Sequence, residues 1–188
     1  MYKALDIAKW LINEAVQYNI TITPMKLQKL LYYAQAYALG MSGEPLFNDE
    51  IQAWKHGPVI PVVYNAYSKY GRAPITETDT AQIGEDVASL IRSVIKDKGY
   101  FSALELSEMT HNELPWQEAF KGWDGYGTMP VITPDAIEDY FAAKFWTSDE
   151  EIEENLKQEE PDDNEDAFWA SVGYPVSNQE LEAVLAEI

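Results

Sequence analysis

The chain has 188 residues, of which 46% are hydrophobic and 13% aromatic, so it can bury a core as one domain without disulfides. It contains no cysteine, which excludes a disulfide framework, cysteine-based zinc sites and thiol catalysis. Its formal net charge of -19 argues against direct nucleic-acid binding through a basic face. The N-terminal segment is interrupted by polar residues, so we expect no signal peptide, no membrane span and a cytoplasmic protein.

The charge is concentrated at the C-terminal end. Residues 149–188 hold 14 acids and one base, whereas residues 1–148 hold 18 acids and 12 bases. We therefore expect a domain over 1–146 and an acidic extension over 147–188. An extension of this charge suits a protein partner with a basic surface.

The first half of the chain reads as helices separated by turns. Apolar spacing predicts an amphipathic helix over 3–18. Thr23 as N-cap and Pro24 at the first helical position predict a second helix over 24–39, which Gly40 would end. Residues 51–54 are predicted to form a short strand.

The strand over 51–54 should be broken by Gly57-Pro58 and followed by a helix through about Tyr70, which Gly71 would end. A fourth helix is expected over 83–98 before Gly99. The pair Ser102 and Glu105 forms a capping-box pattern for a fifth helix over 102–110.

The remaining elements complete the predicted domain. Pro115 and Trp116 open a short helical turn, and residues 131–132 form a second strand able to pair with 51–54. Thr133-Pro134 repeats the N-cap and proline start, so a sixth helix is expected over 134–146. The predicted fold class is mainly α: a compact bundle of about six helices, a short two-stranded β element and an acidic C-terminal extension.

The extension is more than a solvated tail. Residues 148–166 are acidic and poor in apolar residues, which favours a linker. Ser177 and Glu180 then form another capping-box pattern for an amphipathic helix ending at residue 188. We predict that the extension docks on the body or on a partner through Phe168, Trp169, Tyr174, Leu181 and Leu185.

Catalytic and metal-binding patterns are weak. His56, His111 and Glu113 could form a two-histidine, one-carboxylate metal site, but no H-E-x-x-H spacing supports it. The alternative is that each histidine hydrogen-bonds locally and organises a turn. No serine lies in G-x-S-x-G and no glycine-rich phosphate loop is present, so we expect no enzyme, no cofactor and no bound metal. Tyrosines such as Tyr33 and Tyr37, which share a helical face, suit either the edge of the core or an interface.

Five motifs follow one another along the chain: MKLQKLLYYAQA at 25–36, PLF at 45–47, AWKHGPV at 53–59, THNE at 110–113 and PW at 115–116. Together they resemble the Panacea-domain family, which includes GepA-like and SocA-like proteins, and the resemblance covers about residues 1–146. The resemblance implies a mainly helical antitoxin that neutralises a cognate protein toxin by direct binding. Alternatives are a protease adaptor that delivers a toxin to a ClpXP-type protease, a phage-encoded acidic inhibitor that mimics nucleic acid and, less favoured, a metal-dependent enzyme.

The motif residues are expected to set the shared scaffold or to contact the partner. These residues are Trp54, Lys55, His56, Gly57, Pro58, His111, Glu113 and Trp116.

Overall fold

The computed structural model describes residues 1–77, 79–121, 123 and 125–146. Within these ranges the chain forms seven α-helices, one 3-10 helix and three strands. The helices are α1 (Ala4–Gln17), α2 (Pro24–Ser42), α3 (Pro61–Tyr67), α4 (Glu85–Lys98), α5 (Ala103–His111), α6 (Leu114–Phe120) and α7 (Pro134–Trp146), with the 3-10 turn at Ser68–Tyr70. The strands are β1 (Ile51–Trp54), β2 (Gly57–Val59) and β3 (Val131–Ile132). The mainly helical fold class is therefore confirmed.

The extension predicted over 147–188 lies outside the described residues. The same holds for the aromatic residues and the terminal helix predicted there, so these expectations stay predictions. Among the helices that the structure does describe, none has the length and apolar character needed to cross a membrane.

Helix α2 is the centre of the domain. It contacts α1, α3, α4, α5 and β2, and residues on all of its faces are buried. A helix at the surface of a domain would bury only one apolar face. The buried polar residues of α2 therefore need partners from the surrounding chain, and Gln35 shows how they find them: its Nε2 donates to Phe47 O at 3.0 Å and its Oε1 accepts from Leu46 N at 3.0 Å.

The predicted helix starts are confirmed by hydrogen bonds. Thr23 Oγ1 accepts from Lys26 N at 3.4 Å at the start of α2. Ser102 and Glu105 form both bonds of a capping box at the start of α5. Each bond spans three residues, so a local pattern was sufficient to predict it.

The predicted end of α2 at Gly40 is wrong. The helix continues to Ser42, and Gly43, with φ of 70°, ends it and donates to Leu39 O at 2.7 Å. Gly40 has a different purpose, because a Cβ there would lie 2.7 Å from Phe141 Cβ. This glycine allows α7 to approach α2 closely. Tyr32 and Tyr33 pack edge-on against the Phe141 ring, with 6.1 and 6.3 Å between the ring centroids.

The predicted β element exists but has a third strand. The predicted pairing is correct, with Ile51 opposite Ile132 in an antiparallel register. The prediction that Gly57-Pro58 only breaks the strand is wrong, because the chain turns and returns as β2, with Trp54 opposite Gly57. The sheet order is β2-β1-β3, so the proline lies on an edge strand, where a missing backbone N–H is tolerated.

Candidate functional site

The hairpin segment, residues 54–60, is held by side chains of α5 and α6 that reach its backbone carbonyls. Trp116 Nε1 donates to Trp54 O at 3.0 Å, and Ser107 Oγ donates to His56 O at 3.0 Å. Between them, Lys55 O lies 3.1 Å from His111 Nε2. Three successive carbonyls of the hairpin segment therefore each face a polar side chain from another element.

Helix α2 holds the other arm of the hairpin segment. Lys29 Nζ donates to Pro58 O at 3.1 Å, and Ile60 N donates to Gln28 Oε1 at 2.8 Å. Just before these contacts, the backbone at Gly57 comes close to both α2 and α5. A Cβ on Gly57 would lie 2.7 Å from both Lys29 Nζ and Thr110 Oγ1. Since Gly57 also has φ of 94°, both the conformation and the space at this position require glycine.

His111 is buried at the centre of these contacts. Its Nδ1 lies 2.6 Å from Ser107 O, so each ring nitrogen faces a backbone carbonyl. Two acceptors favour the protonated ring, but burial, followed by the charge of Lys29, lowers the pKa of His111 to about 3. The ring also contacts Trp116, with 4.1 Å between the ring centroids. His111 thus acts as a neutral structural group at pH 7.

Burial also lowers the pKa values of two other basic side chains near His111, those of Lys29 and His56. Complete burial lowers the pKa of Lys29 to about 7. Burial, then the charges of Lys29 and Lys55, lower the pKa of His56 to about 4. His56 Nδ1 is buried and has no hydrogen-bond partner within the described part of the chain. The site therefore disfavours positive charge on both histidines.

Glu113 belongs to a separate polar cluster formed with α2. Its Oε1 accepts from the Tyr33 hydroxyl at 3.1 Å. Its Oε2 and the Tyr32 hydroxyl interact electrostatically, but neither atom makes a hydrogen bond of good geometry in the described residues. Burial raises the pKa of Glu113 to about 7, and the charges of Lys144 and Lys98 only partly offset it.

The structure therefore does not assemble the three-residue ligand set that the sequence suggested as an alternative. Among the described residues, no group of three or more histidine or carboxylate side chains is arranged to hold a metal ion. His111 faces the hairpin segment, which contains His56, whereas the Glu113 carboxylate interacts with tyrosines of α2.

Burial separates the eight motif residues into two groups. Gly57, Pro58, His111, Glu113 and Trp116 are buried, whereas Trp54, Lys55 and His56 at the hairpin tip are partly exposed. The Trp54 ring packs on Tyr64 of α3, with 4.9 Å between the centroids. Of these eight residues, the three at the hairpin tip present surface to a partner, and partner contact there stays a prediction.

Sequence reasoning missed the residues of α2 and α5 that hold the hairpin segment by hydrogen bonds, namely Gln28, Lys29 and Ser107, and also Thr110, which packs close to Gly57. A signal was present in α2, because Lys26, Gln28, Lys29 and Gln35 fall on several faces of a helix rich in Leu, Ala and Tyr. A helix that is polar on several faces yet central must find internal partners.

These observations define a helical domain in which buried polar side chains hold a hairpin against a central helix. Residues 27–117 match the family described as "Antitoxin SocA-like, Panacea domain". Over 68 residues the chain is 45% identical to "Antitoxin SocA" of Caulobacter vibrioides strain NA1000 / CB15N. That match covers 36% of this chain and 36% of the relative, so the chain spans about a third of the relative's length. No solved structure matches the chain. The resemblance to the SocA-like Panacea family that the motifs predicted is therefore confirmed over residues 27–117.

Proposed function

We propose that this protein is an antitoxin that neutralises a cognate protein toxin by direct binding. The observation that carries the proposal is the Panacea-domain match over residues 27–117, together with the 45% identity to a protein named as an antitoxin. The match includes the hairpin segment and the side chains that hold it. The family assignment therefore rests on the same residues that organise the fold.

The proposed role is binding rather than catalysis. His111 and Trp116, the motif residues best suited to chemistry by type, are buried and directed at backbone carbonyls of the hairpin segment. Lys29, whose lowered pKa would suit a proton-transfer group, is fully buried and donates to Pro58 O. These groups are engaged in holding the scaffold, which supports a domain that presents a surface.

Recognition of the toxin is proposed to use exposed surface and the acidic extension over 147–188. The net charge of residues 149–188 is -13, from 14 acids and one base. A basic toxin surface would be attracted to such a segment, with fast association at low ionic strength.

The proposal is tested by expressing the genes that flank this one from an inducible promoter. We expect one of them to arrest growth, co-expression of this protein to restore growth, and the two purified proteins to form a complex in size-exclusion chromatography. If every flanking product is harmless, or if rescue occurs without a complex, direct neutralisation is wrong.

The protease-adaptor alternative is separated by measuring toxin abundance. Direct binding predicts an unchanged toxin level and full rescue in a strain that lacks ClpXP. An adaptor predicts that toxin disappears on co-expression in the parent strain and that rescue fails in the protease-deficient strain.

A further inference from the structure

An open groove of about 590 Å³ lies between the start of α4, the end of α2, the loop at residues 44–46 and the first two residues of the chain. Its apolar surface includes Leu46, Val87 and Leu90, and Met1 stands at one edge. Tyr2 ties the walls together, because its backbone N donates to Leu46 O at 2.9 Å and its hydroxyl accepts from Gly84 N at 2.8 Å. The groove is thus built from fixed elements.

The apolar side chains of the groove are not needed by the core. Helix α4 buries Ala88, Ile91, Val94 and Ile95 against the domain. Val87 and Leu90 lie three residues apart beside that buried face and are only half-buried. They form a second apolar strip on α4 that remains accessible from the groove.

The charged side chains on the groove rim are both acidic, and the α-amino group of Met1 at the edge is the positive group among the lining residues. Glu44 and Asp86 line the groove, and no lysine or arginine side chain does so. Both carboxylates are exposed, and within the described residues neither forms an ion pair. They are free to pair with cations that approach from outside.

We propose that this groove binds an amphipathic segment of the toxin. The apolar side chains of that segment would pack on Val87 and Leu90, and its lysine or arginine side chains would lie beside Glu44 and Asp86. The inference rests on the proposed function and names the kind of partner surface. An apolar strip with carboxylates on its rim is complementary to a basic amphipathic helix, in the manner of helix-in-groove recognition. The carboxylates speed the encounter and the apolar strip holds the segment.

A second depression on the same domain provides a matched control. It has a volume of about 380 Å³ and is lined by Ile12, Val16, Ile20, Ile22 and Ile75, among others, with no charged side chain. Val16 is exposed, as Val87 is in part. An aspartate at position 16 therefore introduces a negative charge at another apolar surface, one charge against the two that V87D/L90D adds.

The experiment compares full-length variants for rescue of growth and for toxin affinity by biolayer interferometry. V87D/L90D should weaken binding at least about thirtyfold, as loss of a central apolar contact does. V16D should bind as the wild type does. E44Q/D86N, which changes only exposed rim groups, should slow association about tenfold at low salt and flatten its salt dependence. E108Q/E118Q, on α5 and α6, should leave association unchanged.

A second arm does not require a toxin to have been found. Overlapping 15-residue peptides from the products of the flanking genes are arrayed and probed with the same variants. Bound peptides should carry an apolar stripe flanked by lysine or arginine, and V87D/L90D should lose them while V16D keeps them.

The outcomes distinguish the two proposals. If the wild type rescues growth and V87D/L90D and E44Q/D86N do so with equal affinity, the groove is wrong and the antitoxin function stands. If this protein restores growth against no flanking gene product, the antitoxin function is wrong. The groove proposal is overturned as well if no peptide is captured, or if the groove variants capture the same peptides as the wild type. Loss of a wild-type dimer in V87D/L90D would instead assign the groove to a second copy of this chain and overturn the proposal.

Discussion

The buried carboxyl of Glu113 should make stability depend on pH in a predictable direction. Its folded-state pKa is raised from 4.5 to about 7, because burial removes the charged form from water. The folded protein therefore holds this proton more tightly than the unfolded chain does. The stabilisation is fully present below pH 4.5 and is lost as the pH rises through about 7.

The substitution Glu113→Gln isolates this effect. Glutamine keeps the shape and an acceptor for the Tyr33 hydroxyl, and its NH₂ group takes the place of Oε2, so the side chain stays neutral at every pH. A pKa difference of this size corresponds to about 3 kcal/mol of unfolding free energy. The variant should match the wild type near pH 4.5 and exceed its stability by about 3 kcal/mol at pH 8.

The assay is urea unfolding followed by circular dichroism at intervals from pH 4.5 to 8. The difference between variant and wild type cancels the contributions of His56 and His111, which titrate in the opposite direction over part of this range. Glu118→Gln, an exposed change on α6 five residues after Glu113, should give a flat difference. A flat or falling difference for Glu113→Gln would refute the argument that burial dominates at this carboxyl.

Three further predictions test the scaffold and the extension. Gly57→Ala should cost about 3 kcal/mol, measured by urea unfolding, because it adds a contact at 2.7 Å to an unfavourable φ of 94°. Gly43→Ala, at φ of 70° and ψ of 1°, would meet only the Glu138 carboxylate at 3.3 Å and should cost only about 1 kcal/mol. Trp116→Phe should lower stability by about 2 kcal/mol because it leaves Trp54 O without its donor, and Trp123→Phe, whose bond to Tyr126 O is exposed, should change the melting temperature little. Neutralising the four carboxylates within 162–166 should lower toxin affinity at low salt and reduce its salt dependence without changing the melting temperature; an affinity equal to that of the wild type would contradict the proposed role of the extension.

The helix starts were predictable because their signals are local. Thr23, Ser102 and Thr133 each accept a hydrogen bond from a backbone N–H three residues later, and the residue type and spacing are visible in the sequence. The pairing of β1 with β3 was also predicted, although the two strands are distant in sequence. The apolar residues of both strands offered few other partners in a mainly helical chain.

The use of each glycine was not predictable in the same way. Gly40 and Gly43 both lie near the end of α2, and only the approach of Phe141 shows why the first lies inside the helix and the second ends it. Likewise, Gly57 was interpreted as a strand break, but it is the first residue of β2, because Lys29 and Thr110 leave room there for a backbone without a Cβ.

The sequence by itself determined the helical class, the main helix starts and the match of residues 27–117 to the Panacea family. Local hydrogen bonds and motif order carry that information, and neither requires knowledge of distant contacts. Only the tertiary structure decided that Lys29 and His111 are buried and hold the hairpin segment, while Glu113 joins the tyrosines of α2. The physical reason is that a polar side chain's burial and pKa depend on what packs across from it, and those groups lie up to 80 residues away along the chain.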